Sequence, residues 1–274
     1  MARKQVNEMS FLDHLEDLRW HLIRICAAVV ICGAVAFFFK GFIFETIIFG
    51  PKKMTFPTYK MLCDIATYFN MDTTMCAAEL PFKIQARKVA TQFSAHIWTS
   101  ILAGFVVAFP YVIYQLWRFI SPGLNPNERK NSRGFIIVSS ILFFLGVVFG
   151  YYIITPLSIN FLGTYSVSAE VSNEFDLDSY IGLVRASVLA CGIIFELPII
   201  IYFLTRVGLV TPQFLRKNRK VALVLILILS AIITPPDVAS QIIVAIPVVI
   251  LYEVSIYISK FVVKKETKKD LKHV

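Results

Sequence analysis

Six apolar runs alternate with polar stretches along the chain, at 22–39, 95–117, 135–161, 180–204, 221–233 and 239–261. A helix needs about 20 mainly apolar residues to cross the roughly 30 Å hydrocarbon core of a bilayer. None of the runs shows the ten-residue alternation of a membrane-barrel strand, so each is predicted to be a transmembrane helix. Pro110, Pro156, Pro198 and Pro247 interrupt four of them, which neighbouring helices can tolerate. The run 221–233 is short, since 13 residues make about 20 Å of helix. Lys217, Arg219 and Lys220 can extend it by snorkelling, and a tight Thr234-Pro-Pro-Asp237 turn joins it to the last run. A mismatch of this kind thins the bilayer locally. The pattern predicts an all-α integral membrane bundle of six transmembrane helices in a single domain.

Composition agrees. The 274 residues are 57% hydrophobic and 16% charged, with a mean hydropathy of +0.70. A soluble domain has about 45–50% apolar and about 25% charged residues. The first run follows a charged stretch without a small-residue cleavage site, so it reads as a span and not as a removable signal. Lys and Arg are distributed by side. Arg118, Arg129, Lys130 and Arg133 share one connection, and Arg216, Lys217, Arg219 and Lys220 share another. Residues 162–179 hold no base but carry Glu170, Glu174, Asp176 and Asp178. This asymmetry puts both termini in the cytoplasm. The long outer loop 40–94 holds seven bases against the trend, but long loops cross largely regardless of charge. The net charge of +9 is therefore a topology signal; no motif of nucleic-acid recognition accompanies it.

Within the outer loop, the stretch Leu80–Phe93 looks amphipathic and can form a helix lying along the interface, while most of the loop reads as a plain surface cap over the spans. Cys63 and Cys76 share this loop and form a disulfide if it faces an oxidising compartment, worth about 3 kcal/mol. Cys26, Cys32 and Cys191 lie in apolar runs and read as small packing residues.

Polar groups in special places carry the candidate chemistry. At the amino terminus (1–21), Leu12, Leu15, Leu18 and Leu22 recur at helical spacing, which predicts an amphipathic cytoplasmic helix leading into the first span. Asp13, Glu16 and Asp17 sit near its start. Either they complement the helix dipole or they form a carboxylate cluster for a cationic ligand. Glu128, in an otherwise basic connection, is either a first-turn acid or a second such spot; two acids can hold guanidinium groups in bidentate pairs. Glu196 lies inside an apolar run beside Pro198, where a charge costs on the order of 3 kcal/mol unless it faces protein or water. Gln241 and Glu253 are polar in the last run, and Asp237 is placed to pair with Gln241 four residues on. Arg185 and Glu196 are 11 residues apart, so they share a helix face without touching and each needs another partner. No hydrolase, P-loop or metalloprotease motif is present, the four histidines are dispersed, and neither a metal nor a cofactor is expected.

Taken together, His14-Leu-Glu-Asp-Leu-Arg19, the run Pro110-Tyr-Val-Ile-Tyr-Gln-Leu-Trp-Arg-Phe-Ile-Ser-Pro-Gly-Leu124, Glu128-Arg129, Phe195-Glu-Leu-Pro198 and Thr234-Pro-Pro-Asp-Val-Ala-Ser-Gln241 resemble the TatC family. These are the multispanning receptor subunits of the twin-arginine protein translocase. The resemblance implies a curved, cup-like wall with Glu196 on its concave face, in the bacterial cytoplasmic membrane. It implies a cytoplasmic site for twin-Arg signal peptides of folded cargo, centred on Asp17 and Glu128 with Phe119 nearby, within the motif residues Glu16, Leu18, Arg19 and Arg129. It also implies single-span TatA/TatB-like partners in a hetero-oligomeric complex that hydrolyses nothing and draws on the proton-motive force. Where the family has a glutamate preceded by a variable residue, this chain has Glu16-Asp17, so either acid can carry the role. A proton-coupled secondary transporter using Glu196 is the alternative, although no repeat relates the first three runs to the last three.

Overall fold

The structure, a computed structural model, describes residues 11–68, 80, 82–121, 132–168, 170–234 and 238–270. Helix dominates it. The first helix, α1 (Phe11–Phe38), runs unbroken, so the described part of the expected amino-terminal helix and the first span are one element. A π-helical stretch (Phe42–Ile48) and a 3-10 turn (Gly50–Lys52) lead to α2 (Pro57–Tyr68) and a short strand β1 (Lys83–Gln85). The second long helix is α3 (Thr91–Ile120), with Pro110 in its interior. A third crossing combines α4 (Ser132–Phe149), a π-helical turn (Gly150–Ile154) and α5 (Thr155–Thr164). Strand β2 (Glu174–Asp176) precedes α6 (Leu177–Ile194) and α7 (Leu197–Arg206), which are separated at Phe195-Glu196. Short α8 (Pro212–Lys217), α9 (Arg219–Ile233) and α10 (Val238–Asp270) complete the described chain.

Among the described residues, five stretches are long and apolar enough to cross a membrane: His14–Phe38, Thr91–Ile120, Gly134–Thr164, Leu177–Arg206 and Ser240–Lys264. The chain is thus a multi-pass helical membrane protein. The fifth apolar run forms α9, whose 15 residues span about 22 Å and stay short of the hydrocarbon thickness. Helix α10 continues to Asp270, well past the expected end of the last span at 261. Side chains such as Val30, Ile31 and Val35 on α1 and Leu225, Ile228 and Ile232 on α9 are exposed, as hydrocarbon contact requires.

The helix breaks have local causes. Pro156 has no N–H to give the carbonyl of Tyr152, and the hydroxyl of Thr58 on α2 donates to that carbonyl instead. Thr155 donates twice to the carbonyl of Gly150, through its backbone N–H, as the π-helical turn requires, and through Oγ1 at 2.8 Å. At the end of α7, Leu209 N–H donates to Leu204 O and Gly208 N–H to Thr205 O, with Gly208 at φ 79°. That left-handed residue and its paired bonds close the helix carbonyls in a Schellman motif.

The stretch 80–93 differs from its expected interfacial helix. Lys83–Gln85 instead pairs in parallel with Glu174–Asp176, Ile84 opposite Phe175. Phe82 is buried, stacks on Phe175 at 4.5 Å, and fills the space above Gly163. One buried aromatic followed by period-two exposure anchors this segment better than a helix whose apolar side would face only the interface.

The chain divides into two compact units. The first comprises residues up to Phe44 and Lys88–Ile141, where α1 lies along α3. A Cβ on Gly104 would stand 2.4 Å from the Gly33 nitrogen, so the two helices meet backbone to backbone at this glycine pair. The second comprises Glu45–Arg87 and everything from Leu142 on. Its core clusters are Ile154, Cys191 and Val244; Ile201, Leu215 and Ile256; and Ile226, Ala245 and Val248. Within this unit tyrosine hydroxyls staple the π-helical and 3-10 segments. Tyr151 donates to Ile47 O, Tyr180 to Ile48 O, and the Tyr59 hydroxyl lies 3.0 and 2.9 Å from the carbonyls of Pro51 and Pro156.

Candidate functional site

The leucines expected to form the apolar stripe of the amino-terminal helix do not form its packed side. Leu15 and Leu22 are exposed and Leu18 is half-buried, whereas His21 is only 5% exposed. The packed face is polar. His21 Nδ1 lies 2.7 Å from Gln115 Oε1 on α3, and Gln115 Nε2 donates to the Tyr111 hydroxyl at 2.6 Å. Gln115 is itself 2% exposed, so a buried amide and a buried imidazole satisfy each other in an apolar interface. One turn before His21, Asp17 Oδ1 lies 3.8 Å from His21 Nε2, with the Asp17 side chain 41% exposed. His14 stacks on Phe119 at 4.5 Å, and His21 meets the same ring edge-on at 6.2 Å.

Several sequence-selected residues therefore gather here: Asp17 and Phe119 flank one polar cluster, while Glu16 and Arg19 are exposed beside it and Leu18 is half-buried. Glu128 and Arg129 lie outside the described residues. The cluster's inner members, His21, Gln115 and Tyr111, were not singled out by motif. Two signals point to them: the Asp17–His21 spacing of four, and a glutamine in the middle of an apolar run.

In the second unit, Glu196 occupies the break between α6 and α7 and is 8% exposed. Pro198 causes that break, because it withdraws the donor that Ile194 O would meet in a continuous helix. Glu196 O still accepts from Ile199 and Ile200 N–H, so α7 starts immediately. Arg185 finds its partner in Asp178, 3.5 Å away and two turns back on α6. Gln241 Nε2 donates to Leu227 O at 3.0 Å, and Glu253 pairs with Arg219 at 2.6 Å. Both contacts join α10 to α9. Asp237 lies outside the described residues. Cys63 is disulfide-bonded, while Cys26, Cys32 and Cys191 are free; the expected partner Cys76 lies outside the described residues. Among the described residues no three His, Cys, Asp or Glu side chains cluster as metal ligands. Burial raises the Tyr59 phenol well above its ordinary ionisation range.

Fold and site define a multi-pass helical membrane protein with an acid-bearing polar face on its first two crossings and a buried carboxylate in a broken helix. The family model of the Sec-independent protein translocase protein (TatC) matches residues 13–247. A protein of that name from Blattabacterium sp. subsp. Periplaneta americana is 43% identical over 265 residues, covering 96% of this chain and 100% of that protein. The Sec-independent protein translocase protein TatCy of Bacillus subtilis is 35% identical, covering 98% and 95%. The crystal structure of a twin-arginine translocase receptor TatC superposes with a TM-score of 0.68 at 32% identity, over 91% of this chain and 99% of that one. The chain belongs to the TatC family.

Proposed function

We propose that this protein is the receptor and core subunit of a twin-arginine translocase. On this reading Asp17 and Glu128 take the two arginines of a signal peptide at the cytoplasmic face, with both termini on that side of a bacterial cytoplasmic membrane. Glu16, Leu18, Arg19, Phe119 and Arg129 shape the same site. The observation that carries the reading is Asp17. Its carboxylate is part-exposed on α1, beside His21 of the buried His21–Gln115 pair, whose ring meets Phe119 edge-on. A carboxylate held this way suits planar, bidentate guanidinium better than the compact ammonium of lysine.

Glu196 and Gln241 then serve the later stage, in which single-span TatA/TatB-like subunits assemble on the helices and the proton-motive force drives transport of folded cargo. The protein itself catalyses no reaction. The test is charge reversal. Asp17→Lys and Glu128→Lys each abolish crosslinking of a twin-Arg signal peptide to the protein in membranes, while expression and insertion persist. Undiminished crosslinking in both variants refutes the site.

A further inference from the structure

The Asp17–His21–Gln115–Tyr111 chain does more than fill space between α1 and α3. His21 Nδ1 meets the side-chain amide of Gln115, and His21 Nε2 faces Asp17. The amide fits two ways. With its oxygen toward His21, Nδ1 carries a hydrogen, and the ring is either the neutral Nδ1–H tautomer or an imidazolium. With the amide reversed, its NH2 donates to Nδ1 and its oxygen accepts from Tyr111; the ring is then neutral with its hydrogen on Nε2. The reversed amide and the imidazolium both direct Nε2–H toward Asp17, 3.8 Å away and within ion-pair range. Only the charge differs.

We propose that His21 is the positioning residue of the guanidinium-binding acid Asp17, and that its protonation competes with the arginine for that carboxylate. The inference rests on the role given to Asp17 above. Neutral His21 stands 3.8 Å behind the carboxylate without a charge and leaves its exposed side open. Protonated His21 already supplies Asp17 with a cation, and an arriving guanidinium must then bind beside a like charge or expel the proton. Binding is therefore linked to release of up to one proton, and affinity for a twin-Arg peptide rises with pH across the range where imidazoles change charge, about pH 5 to 8. Among the described residues, the other ionisable groups around this chain are Glu16, exposed beside Asp17, His14 on α1, stacked on Phe119, and Tyr111 on α3. Arg118 lies over the Tyr114 ring, and Arg19 and Arg24 are exposed. Of these, His14 is the other imidazole, so it needs a control.

The experiment uses the full-length protein in lipid nanodiscs, titrated with a fluorescent twin-Arg signal peptide and its Lys-Lys counterpart from pH 5.5 to 8.5. Wild-type affinity for the twin-Arg peptide is expected to climb with a limiting slope on the order of tenfold per pH unit. In His21→Gln, which removes the titrating charge, that slope disappears. His14→Gln keeps the slope. If the wild type does not prefer twin-Arg over Lys-Lys, or if Asp17→Asn binds as wild type does, the site reading itself fails. If those hold but His21→Gln retains the wild-type slope, the His21 inference alone is overturned. A measurement free of folding concerns accompanies it: 15N-histidine NMR of the wild type at pH 6.5. Peptide binding is expected to move the His21 ring nitrogens from the imidazolium toward the neutral Nε2–H pattern; unchanged ring signals under saturating peptide contradict the proposal.

Discussion

Gly104→Ala puts a methyl group where α1 and α3 touch backbone to backbone. The new carbon would stand 2.4 Å from the Gly33 nitrogen and 2.6 Å from both Gly33 Cα and the Val29 carbonyl oxygen, against 3.4–4 Å for ordinary contact. No flexible side chain can yield, because every near atom belongs to the main chain of α1. The helices must part by about 1 Å, and overpacking of this kind costs about 1–3 kcal/mol. Alanine's better helix propensity returns up to about 1 kcal/mol. Gly182→Ala is the internal reference, since nothing lies within 4 Å of its added carbon. That variant receives the propensity gain alone, so the difference between the two isolates the overpacking. For a chain of this size about 1 kcal/mol moves the midpoint by about 2–4 °C, which separates the two variants by about 2–12 °C. Thermal unfolding in nanodiscs followed by tryptophan emission suits the question, because Trp20, Trp98 and Trp117 all belong to the unit containing this crossing. If Gly104→Ala melts at or above Gly182→Ala, the two helices do not meet at these glycines, and the Asp17–His21–Gln115 arrangement that depends on their crossing loses its support.

Other expectations follow from the same geometry. Glu196→Ala spares capture of a twin-Arg peptide but impairs export of folded cargo in cells; normal export would leave Glu196 a purely structural group in the α6–α7 break. Glu253 and Arg219 are both well exposed, so a double-mutant cycle on Arg219→Gln and Glu253→Gln gives a coupling below about 1 kcal/mol. Gln241→Leu costs about 0.6–2 kcal/mol in unfolding, because it removes one bond between α10 and α9. Burial raises the ionisation of Tyr59, so its contribution to stability is complete below about pH 10, the ordinary value, and is lost as pH climbs beyond it. Alkaline unfolding of the wild type is expected to be steeper than that of Tyr59→Phe, and identical curves would refute that assignment.

Much of the fold is legible in apolar periodicity, and the reasons are physical. Backbone in hydrocarbon has almost no alternative to helix, so run length alone predicts the crossings. Pro198 beside Glu196 signals the break that the structure contains, since a missing donor acts locally. The demand of Arg185 for another partner also follows from spacing, and Asp178 meets it. What periodicity misreads is anything decided by a distant contact. Residues 80–93 look amphipathic, yet Phe82 against Phe175 and Gly163 sets Lys83–Gln85 in a strand paired across about 90 residues of chain, while Thr91–Phe93 open α3. The leucine repeat of the first helix suggests an apolar packed face, but Gln115 on α3 selects His21 for that position. Only the fold shows that these two polar groups, 94 residues apart, meet.

The central claim, that the face of α1 and α3 around Asp17 and Phe119 captures twin-arginine signals, is tested most directly by photocrosslinking. A photoreactive amino acid placed at Phe119 in the full-length protein, in native membranes, is irradiated with a labelled signal peptide. The account predicts an adduct with the twin-Arg peptide that is lost when both arginines become lysine and when Asp17 becomes asparagine. Adducts of equal yield with both peptides, or none with either while capture persists elsewhere on the protein, would contradict it.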